Sequence, residues 1–199
     1  MGANRMAQGK KKAKRLKAHL VFIDESGLLL SPLVRRTWAL RGVTPVLYQR
    51  TRSREKVSLI AALTCSPRRH RVGLYFSLKA GANVNADWLR GFLRHLSYHI
   101  RGHLIVVWDR LPAHHSAKVT TWAHRNGRVH LVELPPYAPE LNPPEYLFGY
   151  TKTNPLVNWA PLDADILAEA AIHYLCQLKK RPSLLRSFFK ASPLSLFPK

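Results

Sequence analysis

Residues 104–114 read LIVVWDRLPAH. Five bulky apolar residues, Leu104 to Trp108, give way to Asp109, the pattern of a short buried strand that stops where its carboxylate appears. The stretch LVFIDES, residues 20–26, repeats the arrangement, with Leu20-Val21-Phe22-Ile23 running into Asp24. A carboxylate at the tip of a buried strand is costly unless something charged meets it. A third acid, Glu145, sits in a different frame, LPPYAPELNPPEYLFGY at residues 134–150. There Asn142 is suited to cap a helix and Pro143-Pro144 to occupy its first positions, which puts Glu145 in the opening turn. The three frames together predict an acid on a helix facing two strand tips.

Three oxygen donors with no cysteine or histidine among them suit a hard cation such as Mg²⁺, which keeps waters and takes remaining ligands from phosphate. A polyphosphate or a nucleic acid is then the substrate, and charge decides between them. Lys and Arg total 32 against 11 Asp and Glu, a formal +21 with a pI near 10.8. An excess of that size matches a phosphate backbone.

The 199 residues are enough for one domain with its own core, and 46% hydrophobic content is that of a folded chain. No stretch approaches the ~20 apolar residues that cross a bilayer, and no apolar signal core opens the chain, so a cytoplasmic protein is expected. Cys65 and Cys176 read as buried, reduced thiols. The segment Lys10–Lys17 holds no acid and reads as a flexible arm along DNA or a solvated tail.

Along the chain, Gly27 to Ser31 suggests a turn and a strand pairing back on the first as a hairpin. Residues 35–45 interrupt the pattern as a loop, and strands follow at 57–64 and 71–78. Apolar residues from Trp88 to Ile100 recur at helical spacing, with Asn83 or Asn85 as cap. After the Asp109 strand come a helix over 116–124, a strand over 129–134, and a helix over 163–178 that Pro182 ends. Antiparallel strands followed by βα units indicate an α/β fold, a mixed sheet covered by helices, in which acids on neighbouring strand ends converge.

FIDES with its downstream TWALRG, then VVWDRLPAH, then PPYAPELNPPEYLFGYTK frame residues 22–152, and 35 residues separate Asp109 from Glu145. In motif, order and interval the chain resembles the catalytic domain of bacterial insertion-sequence transposases, in the mariner-like branch of the DDE superfamily. The resemblance implies a ribonuclease-H-like fold, a mixed five-stranded sheet flanked by helices. It implies two Mg²⁺ ions, with Mn²⁺ as substitute, and DNA strand cleavage followed by 3′-hydroxyl strand transfer during transposition. Carried over by residue, Asp24, Asp109 and Glu145 are the catalytic and metal-binding triad, Asp24 bridging both ions and the other two holding one each.

The implied partners are terminal inverted repeats and target DNA, with a homodimer on DNA at the nucleoid. Such transposases usually carry helix-turn-helix modules ahead of the catalytic domain, whereas 21 residues precede FIDES here. The reading is therefore a truncated copy, or a separate helix-turn-helix subunit that completes it. Competing functions are a resolvase-like nuclease on the same fold and a non-catalytic DNA-binding remnant or host-recruited transposase. The expected organisation is a basic arm or linker at 1–19, the catalytic domain at 20–160, and a C-terminal helix with a basic tail at 161–199 on the same domain.

Neighbouring acids are weighed separately. Strand geometry turns Glu25 to the face opposite Asp24, and Glu140 reads as a cap or ion-pair partner. His114 and His115 read as a polar pair at a helix entry or as groups near a phosphate. Arg35, Arg36, Arg41, Arg50, Arg52 and Arg54, interleaved with Trp38 and Tyr48, suit a DNA track.

Overall fold

The computed structural model describes residues 2–31, 33–48, 55–194 and 196–197, with only the backbone of 2–7 and 10. A five-stranded mixed sheet forms the centre, in the order β3-β2-β1-β4-β5. Strand β1 (His19–Leu29) pairs antiparallel with β2 (Lys56–Cys65), which pairs antiparallel with β3 (Val72–Ala80). On its other edge β1 runs parallel to β4 (Leu104–Trp108), and β4 runs parallel to β5 (Val129–Glu133). The mixed α/β sheet expected from the sequence is what forms.

Side-chain alternation divides β1 between two cores. Leu20 and Phe22 face one side with Ile105 and Val107, under helices α4 (Pro143–Thr153), α5 (Ala164–Lys179) and α6 (Pro182–Ala191). Val21 and Ile23 face the other with Val106 and Trp108, under α2 (Ala86–His99) and α3 (Ala117–Asn126). Side-chain caps start three of these helices: Asn85 accepts from the Trp88 N–H at 2.9 Å, Ser116 from Lys118, and Asp163 from Ile166 at 2.8 Å.

Several expectations are corrected. The hairpin after Gly27 does not form; β1 continues through it, Gly27 opposite Ser58 and Leu29 opposite Lys56. A glycine does not end a strand whose partner carries the ladder on, and Leu28 and Leu30 are buried beyond it against Leu156, Leu167 and Ala171. The basic arm is a helix, α1 (Gly2–Arg15). Gly9, Ala13 and Leu16 fall at i, i+4 and i+7, so alanine-, lysine- and arginine-rich sequence of good helical propensity presents one apolar stripe. Ala13 is buried and Leu16 packs on the core, while a Cβ on Gly9 would lie 3.3 Å from Val132, so α1 rests directly on β5. The tail after Pro182 is also helical, because Leu185, Phe188 and Phe189 share one face and enter the core; Phe189 stacks edge-on to Phe22 at 5.9 Å. Cys65 is buried as expected, but Cys176 is exposed.

Candidate active site

Even numbering along β1 places Asp24 on the side of Phe22, beneath α4, and odd numbering places Glu25 on the side of Ile23, beneath α2 and α3. By the same alternation Asp109, one residue past Trp108, turns to the side of Asp24. Asp24, Asp109 and Glu145 line a single cavity of about 340 Å³, closed by residues 134–139 and by Asn142. All three acids singled out from the sequence are therefore brought together. Glu140 is not among the lining residues; it lies exposed in the turn Pro139–Leu141, where its carbonyl accepts from the Tyr146 hydroxyl at 3.2 Å.

Asn142 occupies the position before α4 but does not cap it. Its amide instead donates to the Ile23 carbonyl at 3.3 Å, fastening the start of α4 to β1 one residue before Asp24. That bond sets Glu145, three residues on, over the strand. The Asn142 side-chain oxygen is buried without a partner among the described residues, an acceptor left over at the cavity wall.

Electrostatics disfavour the charged form of Asp24 in this cavity. Asp24 is 6% exposed. Burial first, then the negative charge of Glu145, with smaller shares from Glu25 and Asp109, raises its pKa to about 8 despite a hydrogen bond from the Glu25 N–H. A carboxylate in this state is protonated near neutrality unless a cation meets it. Three convergent carboxylates of this kind, with a spare amide oxygen, are a donor set that fits Mg²⁺ or Mn²⁺.

Behind the cavity lies a cluster that the sequence reading did not resolve. His114 is buried, its Nδ1 2.9 Å from an Asp109 carboxylate oxygen and its Nε2 3.0 Å from Glu25. Its ring stacks on Trp108 at 4.4 Å and 4°. Burial alone lowers its pKa, but the hydrogen bonds to Asp109 and Glu25 outweigh that and raise it to about 10. His114 is thus an imidazolium bridging two carboxylates. Burial raises the Asp109 pKa, yet the bond to His114 and the Leu111 N–H at 3.1 Å leave it below the ordinary value. The sequence carried one usable signal: His114 follows Asp109 by five residues across a Pro-containing turn, enough to fold back over the strand tip.

Tyr137 stands at the rim, fully exposed and with φ of 56°. The segment 33–48 has no regular structure, and Trp38 and Tyr48 are exposed in it. Asn158 clasps its start, accepting from the Arg35 N–H at 2.7 Å and donating to the Arg35 carbonyl at 2.9 Å. Arg35, Arg36 and Arg41 are exposed there, while Arg50, Arg52 and Arg54 lie outside the described residues.

A mixed sheet with three acids at one end, two on neighbouring strands and one on a covering helix, defines a class of phosphodiester-cleaving domain. The family model for DDE superfamily endonucleases matches residues 19–162, and the chain belongs to that family. Membership implies dependence on a divalent metal. Among solved structures, the chain is similar to the catalytic domain of Mos1 mariner transposase at 15% identity and a TM-score of 0.57, covering 94% of this chain and 84% of that one. It is also similar to the Mos1 paired-end complex with Mn, at 18% identity and a TM-score of 0.63, covering 96% of this chain and 57% of that one. The paired-end complex with Mg gives 16% and 0.64, covering 94% and 59%. The likeness is one of fold, the ribonuclease-H-like fold, and the chain spans about three fifths of the transposase in those complexes. Among curated proteins none matches this sequence. Among the described residues no helix is long and apolar enough to cross a membrane.

Proposed function

We propose that this chain is the catalytic domain of a transposase, which cuts DNA at the ends of a mobile element and joins the resulting 3′-hydroxyl to target DNA, with Asp24, Asp109 and Glu145 as metal-binding catalytic residues. The observation that carries the reading is the convergence of these three acids in one cavity of a DDE-family endonuclease. The similar structures, described as Mos1 complexes with a transposon end and with Mn or Mg, support it.

In this reading Asp24, Asp109 and Glu145 would hold two Mg²⁺ ions. Bound there, the ions supply activation of the attacking oxygen and stabilisation of the leaving one. The chain's own part is to prepare that site. Burial and mutual repulsion leave Asp24 demanding a cation. His114 and the Leu111 N–H hold the Asp109 carboxylate in one orientation, and the Asn142–Ile23 bond holds α4 against β1. Tyr137 offers an exposed ring at the rim on which a base can stack. The proposed partners are terminal repeats and target DNA at the nucleoid, a second copy that brings two element ends together, and a helix-turn-helix module that reads the ends.

Replacing Asp109 by Asn tests the assignment. Loss of Mn²⁺-dependent nicking in a variant whose circular dichroism shows it still folded supports it; nicking at the normal rate overturns it. Transfer of a labelled 3′-hydroxyl end into a second duplex separates a transposase from a simple nuclease.

A further inference from the structure

At the start of β1, the turn between β2 and β3, the end of α1 and His19 enclose a cavity of about 910 Å³. Lys14, Lys17, Arg68, Arg69 and Arg71 line it together with His19, and none of the lining residues is acidic. From Asp24 it is five residues back along the strand, about 16 Å at the rise of a β-strand. This cluster is separate from the carboxylate site.

Its construction is specific. The turn is tied by Ser66, whose N–H donates to the Arg71 carbonyl at 2.8 Å and whose hydroxyl accepts from the Arg71 N–H at 3.0 Å. Arg69 sits within it at φ of 62°, its N–H on the Ser66 carbonyl at 2.9 Å. On the facing wall α1 ends in a Schellman motif: Ala18 N–H meets the Ala13 carbonyl at 2.9 Å and Lys17 N–H the Lys14 carbonyl at 3.3 Å. That motif wants glycine at its left-handed position, yet Lys17 stands there at φ of 46°. Two cationic side chains thus occupy left-handed backbone that is unfavourable for a residue with a Cβ. Arg186 adds charge behind the turn, donating to the His70 carbonyl at 2.9 Å while its Nε is buried without a partner among the described residues.

Like charges gathered around one hollow repel unless an anion enters, and the crowding is felt by His19, whose pKa is lowered by burial and by Arg69. A hollow of this volume, open and lined by five long cations, matches several consecutive phosphates. We propose that this cavity is a second nucleic-acid site, gripping the phosphate backbone of DNA away from the carboxylates and without a metal. The choice of DNA as the polyanion rests on the function proposed above; the site itself does not.

The test is binding of a labelled 25-base-pair duplex to the whole chain in EDTA, across a series of NaCl concentrations. Each cation–phosphate pair removed reduces the slope of log K against log salt by about 0.9. Replacing Lys14, Lys17, Arg68 and Arg71 by Ala is expected to lower that slope by about 3.6 and to weaken binding at least tenfold at 0.1 M salt. Replacing the exposed Arg90, Arg94, Arg101 and Arg125 by Ala removes the same charge and is expected to change the slope by less than 1. Equal losses in the two variants overturn the proposal, as does no loss in the first. Inorganic tripolyphosphate binding tightly to the native chain, with DNA affinity unchanged in the cavity variant, reassigns the site to a small anion and also overturns it. Independently of any variant, acetylation of Lys14 and Lys17 in the unsubstituted protein should be suppressed by DNA; unaltered acetylation contradicts the site. Because metal is absent throughout, a negative result leaves the cleavage reading untouched, and failed cleavage leaves this one untouched.

Discussion

The middle and the start of β1 carry opposite problems. At Asp24 the strand delivers a buried carboxylate among other carboxylates, and at His19 it opens on a hollow walled by lysine and arginine. The carboxylate in mid-strand calls for a cation and the hollow at the strand's start for an anion, within about 16 Å of each other. Neither shortage is relieved by the other, because the apolar residues Leu20 to Ile23 between them are fully packed. Each is left to find its countercharge from outside the chain. That is how a domain of net charge +21 can present an acidic cavity.

The largest effect expected from breaking this contrast comes at the acidic site. Asp24→Asn should abolish metal-dependent cleavage, by at least a thousandfold on the scale of removing a central charge-stabilising group. In the absence of metal the same variant should melt higher than the native chain at pH 8, and added Mn²⁺ should stabilise only the native chain. Thermal melts with and without EDTA read both outcomes.

His114→Gln comes next. Losing the imidazolium leaves Asp109 and Glu25 facing each other unbridged, with an expected 10–100-fold loss of metal affinity or rate. Calorimetric titration with Mn²⁺ measures the affinity directly; an unchanged value means that His114 only packs against Trp108.

A pH dependence of stability sharpens the comparison further. Asp24, raised to about 8, binds a proton in the folded chain that the unfolded chain has released above pH 4, so its contribution falls as pH rises from about 4 to 8. His114, raised to about 10, adds stability that is complete below pH 6.5 and is lost as pH climbs to 10. Both signs agree. Metal-free urea unfolding should give a lower free energy at pH 9 than at pH 6, and Asp24→Asn should flatten the lower part of that window and His114→Gln the upper.

The smallest effect belongs to the basic hollow. Lys17→Gly relieves the left-handed backbone and should stabilise the fold by about 0.5–1 kcal/mol, net of glycine's entropy, while weakening DNA binding. Urea midpoints and anisotropy on one preparation show whether the two effects part in that way.

Strand and helix positions were legible because burial imposes periods of 2.0 and 3.6 on the apolar residues, as in β4, β5, α2 and α5. The frames of Asp24, Asp109 and Glu145 also pointed to their convergence, and the three do line one cavity. Misreadings occurred where local signals were overruled by partners distant in sequence. Gly27 looked like a turn, yet Ser58 pairs with it. The lysine run looked like a solvated arm, yet β5 gives its Gly9–Ala13–Leu16 stripe somewhere to rest.

By itself the sequence determined an α/β chain with three acids in three frames, because side-chain chemistry and local periodicity are written residue by residue. Only the tertiary structure decided that His114 bridges Glu25 to Asp109, and that Lys14 and Lys17 meet Arg68, Arg69 and Arg71 across a cavity. Those pairings depend on which strand edges and helix ends are packed together, a matter of distances through space that spacing along the chain does not carry.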